Sequence, residues 1–348
     1  MLPAALTLPA RHTAVDARLL PEIVDLYLNG KLADGSLAPR TATNYRLQLY
    51  PWFAFWRECE SIHHHTLSVE ILRSALDWIR TDYRTRMGKP LSQTSIYDCF
   101  LRLKQVLLWA FNANCTGSVN MADWVPKVDS GTPDQFFPDI SQLTQLLAVP
   151  VGPYRLRDVA CLAFLVSTGA RRFEAALATI EDVEFLTPMT DLSIDSDHRG
   201  WVWLRRVKGD SEGKNGGRDV VFDGVAGLLL KAYIRADGRK TGPIFDLSDN
   251  AIGQMVDRHA AACGLGEFSP HALRRALADY WDERHGFAGR AVLKKQLGHA
   301  ANSGDVTERH YISRNRKRVT REILKWHISP LAAVALDWRE FPVHIPPP

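Results

Sequence analysis

The sequence has few cysteines: Cys59, Cys99, Cys115, Cys161 and Cys263 are scattered, odd in number and without a C-x-x-C pair. That spacing excludes a disulfide scaffold and predicts buried free thiols in a reducing compartment. No run of about 18 apolar residues is present, which leaves no candidate for a membrane span. The first residues, Met1 to Leu6, lack a basic n-region and a long apolar stretch, so no secretory signal is expected and the chain is expected to be cytoplasmic. Internal repeats and low-complexity tracts are missing too. His63-His64-His65 has no acidic or cysteine partner at ligand spacing, so no metal and no cofactor are expected. Neither sign of charge dominates. The 43 Lys and Arg stand against 39 Asp and Glu, a net charge of +4, which permits nucleic-acid binding without demanding it.

What is present is a chain of 348 residues, 46% hydrophobic and 24% charged, long enough for two soluble domains with sizeable cores. Residues 1–16 read as a loose arm, and residues 17–125 as a helical domain. Leu19, Leu20, Ile23, Val24 and Tyr27 recur at helical spacing, as do Tyr45, Leu49, Trp52, Phe53 and Trp56 in a segment from Thr41 to Trp56. Further helices fit Val69 to Tyr83 and a stretch from Ser92 carrying Ile96, Phe100, Leu103, Val106, Leu107 and Phe111. An aromatic stripe at this spacing predicts core packing rather than a base-stacking platform. The polar faces offer Arg40, Arg46, Arg102 and Lys104 as candidate phosphate contacts.

Residues 126–139, with Pro126, Gly131, Pro133 and Pro138, read as an interdomain linker. A second domain is expected over 140–328, followed by a tail at 329–348. Its first long helix ends at Thr168-Gly169, where glycine suits a positive φ. Trp201 to Val207 and Arg218 to Phe222 alternate as two strands of a hairpin around a turn rich in glycine. From Asn250 to about Ile328 the pattern is helical. The whole is therefore mainly α with a small antiparallel sheet.

Four short segments carry the chemistry. Thr168-Gly169-Ala170-Arg171-Arg172-Phe173-Glu174 places Arg171 at a helix start with Glu174 one turn on. His271-Ala272-Leu273-Arg274-Arg275 follows Pro270, which starts a helix cleanly and puts His271 and Arg274 on one face. Leu297-Gly298-His299 ends that pattern, and His310-Tyr311 follows. Forked guanidinium groups match phosphate oxygens, histidines move protons, and a tyrosine attacks phosphorus once its proton, with an ordinary pKa near 10, is removed.

In that order the segments resemble the tyrosine recombinase, or phage integrase, family. Its catalytic domain carries T-G-x-R-x-x-E, a hairpin lysine, H-x-L-R, L-G-H and a C-terminal tyrosine. The resemblance covers roughly residues 140–325 and implies a helical core-binding domain joined to an α+β catalytic domain. It implies that Arg171 and Arg274 clamp the scissile phosphate, that His271 and His299 hydrogen-bond it, that Tyr311 is the nucleophile and that Glu174 supports the site. The hairpin lysine, similar to a general acid for the leaving 5′-oxygen, is read as Lys208, with Lys214 as competitor. Two departures stand out. The interval from His299 to Tyr311 is longer than usual, with Ala300 to Asp305 as a small insertion, and Arg275 stands where the family often has histidine.

The resemblance further implies a double-stranded recombination site as partner, a homotetramer on synapsed DNA, and accessory DNA-bending or directionality proteins. Arg275, Arg314 and Arg316 join the candidate DNA contacts, at the head of a basic run that continues through Lys317, Arg318, Arg321 and Lys325. Leu331, Val334 and Leu336 are expected to dock on a neighbouring protomer. A type IB topoisomerase-like or hairpin-forming enzyme, and a DNA-binding protein that performs no chemistry, are the alternative readings. The DNA site itself is not readable from the sequence.

Overall fold

Serine side chains start two of the helices in the first half of the chain. Ser68 and Ser92 accept the backbone N–H of Ile71 and Ser95 at 3.3 and 3.2 Å, satisfying donors that a helix N-terminus leaves open. The computed structural model describes residues 20–58, 67–113, 120–131, 135–148, 154–193, 195–205, 217–266, 268–298 and 316–334. The chain divides into two units, Met1–Asp134 and Gln135–Pro348.

The first unit holds α1 (Leu20–Ala33), α2 (Pro39–Glu58), α3 (Val69–Thr81) and α4 (Gln93–Asn112), with a 3-10 turn at Met121–Trp124. The aromatic stripe is core. Trp52, Phe55 and Phe100 are buried, with the rings of Trp52 and Phe100 at 4.7 Å and those of Phe55 and Trp78 at 5.6 Å. Each such side chain, once buried, stabilises the unit by roughly 1.5–3 kcal/mol. Burial also pushes the Cys99 thiol up, as it does Cys161 in the second unit, which makes both unreactive.

The second unit is built around α6 (Arg155–Thr168), whose residues from Asp158 to Thr168 are all buried. α5 (Ile140–Ala148) precedes it, and α7 (Arg172–Leu177) follows. A three-stranded antiparallel sheet comes next, β1 (Val183–Phe185), β2 (Gly200–Leu204) and β3 (Arg218–Phe222), in that spatial order. The hairpin pairs Gly200 with Phe222 and Leu204 with Arg218. β1 was not legible in the sequence, because three residues show too little alternation. α8 (Gly224–Asp237), α9 (Asp249–Ala262), α10 (Pro270–Leu297) and α11 (Arg316–Trp326) complete the unit, with a 3-10 turn at Pro330–Ala333. The long α10 is kinked at Gly286, where φ is 54° and ψ is −147°. Among the described residues no helix is long and apolar enough to cross a membrane.

The C-terminal segment corrects one expectation. Leu331 and Val334 do not wait for a neighbouring protomer. They are 1% and 7% exposed within the core of their own unit, beside Leu143, Leu162 and Leu273. Leu336 lies outside the described residues. A Leu331→Ala variant should therefore lose about 2–5 kcal/mol of stability, as buried leucines do. Its unfolding midpoint in denaturant should not vary with protein concentration, whereas docking in trans would make it concentration-dependent.

Candidate active site

α6 ends where Thr168 turns its hydroxyl back to the Phe164 carbonyl at 2.6 Å and accepts the N–H of Ala170 at 3.1 Å. Gly169 then takes a left-handed φ of 62°. A side chain there would be strained, and its Cβ would sit 2.7 Å from Leu297 and 2.9 Å from Leu277. This turn brings Arg171 to the N-cap of α7, where the Arg171 N–H donates to Glu174 Oε2 at 2.8 Å and its Nη1 donates to Oε1 at 2.9 Å. Glu174 in the first turn also suits the positive end of that short helix.

Arg274 arrives from α10. It is buried, and its guanidinium fork donates to the Gly169 and Leu297 carbonyls, joining the end of α6 to the end of its own helix. Burial pushes its pKa down to about 9, the nearby Arg171 and Arg218 cations push the same way, and Glu174 opposes them. It stays protonated at neutral pH.

Arg218, the first residue of β3, was not singled out from the sequence. It holds both oxygens of Glu174, Nη1 to Oε1 at 2.9 Å and Nη2 to Oε2 at 3.0 Å. Gln296, also missed, is fully buried. Its amide donates to the Thr168 and Val221 carbonyls at 2.9 and 2.8 Å and accepts the Val221 N–H at 3.0 Å. It pins α6, β3 and α10 together directly behind the arginines. No pattern of hydrophobicity marks such a residue. Its position just before Leu297-Gly298-His299 was the only signal.

Two guanidinium groups, of Arg171 and Arg218, thus meet one buried carboxylate, and the nearby Arg274 donates to neutral carbonyls. The site carries excess positive charge behind a partly open face, Arg171 being 25% and Arg218 13% exposed. An anion with several acceptor oxygens is the natural complement.

Glu174 is depressed below its ordinary value. Burial raises it, but the hydrogen bonds and charges of Arg218 and Arg171 outweigh burial. A depressed carboxylate contributes stability that is present above about pH 4.5, its ordinary value, and lost as pH falls through the folded value. Glu174→Gln should therefore cost about 3–5 kcal/mol at pH 7, because it strands buried cations. In thermal melts against pH, the gap between the variant and the native chain should narrow below about pH 4.5 and close as pH falls through the folded value. A gap of constant width would contradict this role.

The other expected site residues fall as follows. His271 is exposed at the second position of α10, one turn before Arg274. Lys208, Lys214, His299, Tyr311 and Arg314 lie outside the described residues. Arg275 donates to the Phe136 carbonyl at 2.9 Å and lies over Phe137. Arg316 is ion-paired with the buried Asp219 at 2.8 Å, stacks over Trp203 at 4.0 Å and so fastens α11 to the sheet. Thr320 donates to the same carboxylate.

In the first unit, Arg40 and Lys104 are exposed. Arg46 pairs with Asp25 at 2.7 Å. Arg102 is turned inward, to Gln48 and Gln105 at 2.8 and 2.7 Å and over the Tyr45 ring at 4.1 Å.

A buried lysine elsewhere is structural. Lys231, its pKa lowered chiefly by burial, donates to Thr187 Oγ1 at 2.7 Å and to the Pro188 carbonyl at 3.0 Å. Those bonds tie the segment between β1 and β2 to α8. No cluster of His, Cys, Asp and Glu among the described residues could hold a metal ion.

No family profile matches the chain. In sequence it is similar to tyrosine recombinase XerC of Roseiflexus castenholzii (strain DSM 13941 / HLO8), 29% identical over 196 residues. The match covers 51% of this chain and 55% of that protein, about half the length of each. In structure it is similar to XerH site-specific recombinase bound to difH substrate, with a TM-score of 0.59 and 14% identity over 92% of this chain and 100% of that one. It is also similar to a lambda integrase (75–356) dimer bound to a COC′ core site, with a TM-score of 0.56 and 15% identity over 82% and 96% of the two chains. A lambda integrase tetramer bound to a Holliday junction gives a TM-score of 0.56 and 16% identity over 85% and 83%. The architecture, mainly α with a small antiparallel sheet, is that of these proteins.

Proposed function

We propose that this chain, which has the tyrosine recombinase fold and matches one member of that family in sequence, cuts and rejoins DNA at specific sites through a 3′-phosphotyrosyl intermediate. The observation that carries the proposal is the convergence of Arg171 and Arg274 in one partly exposed, positively charged cluster ordered by Glu174. A scissile phosphodiester fits it. Guanidinium groups already fixed by backbone carbonyls and a buried carboxylate need no reorganisation when negative charge builds up at phosphorus.

In the reaction, the Tyr311 oxygen forms a bond to phosphorus as the bond from phosphorus to the 5′-oxygen breaks. The tyrosine proton passes to a histidine, His271 or His299, and the leaving oxygen takes a proton from Lys208. A 5′-hydroxyl of a partner strand then reverses the step and frees the tyrosine. One phosphodiester replaces another, so the exchange conserves bond energy.

The partner is a double-stranded recombination site. Most of the affinity is electrostatic and falls with salt. Arg40 and Lys104, both exposed, serve as phosphate contacts in this reading. Exchange between two duplexes takes four active sites, hence a homotetramer on synapsed DNA, with accessory DNA-bending or directionality proteins and a cytoplasmic setting. The chemistry suits integration, excision or resolution, as in a mobile element.

The experiment uses a pool of nicked duplexes with randomised cores, incubated with the protein and denatured in detergent. Wild-type protein should leave a protein–DNA adduct on a subset of cores, because the broken strand diffuses away and traps the intermediate. No adduct from any core would sink the proposal.

A further inference from the structure

We infer that Arg218 is a positioning residue of this site, holding Glu174 so that Arg171 keeps donors free for a phosphate. The inference rests on the strand-transfer reading above. Glu174 is buried and accepts four N–H bonds, from the Arg171 backbone, Arg171 Nη1 and the two terminal nitrogens of Arg218. A carboxylate offers about four acceptor positions, so its capacity is full. Arg218 spans both oxygens, and the Arg171 guanidinium is left with one bond to Oε1, its only hydrogen bond among the described residues. Without Arg218, the carboxylate would be free to chelate Arg171 fork to fork and withdraw it from the phosphate.

The surroundings fix Arg218 for this work. Its Nε donates to the Gln296 carbonyl at 3.3 Å. Gly298, with φ 64°, leaves room for it: a Cβ there would sit 2.7 Å from the guanidinium. Leu204 lies opposite in the β2–β3 pair, so the base of the hairpin carrying Lys208 is joined through Arg218 to the carboxylate that orders Arg171. Among the described residues, Arg171, Arg218 and Arg274 are the charged groups that face Glu174.

The test compares wild type, Arg218→Met, Arg218→Lys and Arg218→Met/Glu174→Gln. Single-turnover cleavage of a trapped core is measured from pH 5.5 to 8.5, alongside a gel shift and a melting curve. Arg218→Met should cleave about 100-fold more slowly at pH 8, the loss expected when a preorganised donor is withdrawn, with DNA affinity nearly unchanged. Removing Arg218 removes the largest cause that lowers the buried Glu174, so in this variant its ionisation shifts upward and the deficit should deepen as pH rises and the ionised carboxylate competes with phosphate for Arg171. Adding Glu174→Gln should recover about tenfold of it, since a neutral amide competes poorly. If Arg218→Met does not fold, Arg218→Lys should show the same pH trend in weaker form.

A rate loss that merely follows the melting temperature, with no pH trend and no recovery in the double variant, would overturn the inference. So would wild-type cleavage by Arg218→Lys at every pH. Inorganic phosphate gives a readout without chemistry. It should raise the melting temperature of the wild type more than that of Arg218→Met, and the double variant should recover part of the difference. Equal shifts in wild type and Arg218→Met would overturn the inference even where adducts form. A wild type that responds to phosphate but forms no adduct would sink the strand-transfer reading alone.

Discussion

A Tyr311→Phe variant should form no detergent-stable DNA adduct while binding duplex as tightly as the wild type. The substitution removes one oxygen and keeps the ring. An ordinary tyrosine, with a pKa near 10, attacks only when its proton is taken and the phosphate charge is neutralised. In the proposed reaction Arg171 and Arg274 supply that neutralisation whether or not the nucleophile is present, which is why binding and cleavage should separate. The expected fall in cleavage is on the order of 10⁴-fold or more, the scale seen when a nucleophile is removed from a site that otherwise stays intact. Gel shift and denaturing gel on the same samples make the measurement. A parallel loss of binding would show that Tyr311 is a structural residue.

The second large effect is expected at Arg274. Its fork reaches two carbonyls on different elements, Gly169 after α6 and Leu297 at the end of α10. A lysine ammonium is a point charge on a shorter reach and cannot span both. Arg274→Lys should therefore lose about 10²–10³-fold in cleavage, or roughly 2.7–4 kcal/mol of transition-state stabilisation. Arg274→Ala should lose at least as much. It should also lose about 3–6 kcal/mol of stability, counting two charge-assisted bonds and the carbonyls they leave open. Cleavage rate against melting temperature for the two variants separates the roles. Near-native cleavage by Arg274→Lys would mean that charge alone suffices and that the fork is only a scaffold.

The parts of this site that were legible in the sequence are local. Arg171 and Glu174 sit three residues apart across a helix start, and Arg274 sits one turn into a helix opened by Pro270. Such motifs carry their geometry with them, because a cap or a first turn fixes the side-chain direction. Arg218 and Gln296 lie 44 and 75 residues from the groups they bind, on elements whose approach is decided by packing of α6 against β3 and α10. Nothing in the local pattern announces that approach.

The hairpin was legible from alternation, while β1 was too short to show it. The tail shows a different limit. Leu331 and Val334 read as an apolar anchor, but an anchor for a partner and one for the chain's own core have the same composition. The space left beside α5 and α6 decided between them. Arg316 was read as a phosphate contact from its place in a basic run. Its bonds to the buried Asp219 and its stacking on Trp203 depend on the register of β2 against β3, which pairs those two residues.

The most direct measurement of the central claim maps the covalent bond. The trapped adduct is digested with nuclease and protease, and the peptides are weighed. The strand-transfer reading predicts that the peptide containing Tyr311 carries a nucleotide through its 3′-phosphate and that no other peptide does. A nucleotide on another side chain, or on none, would contradict it.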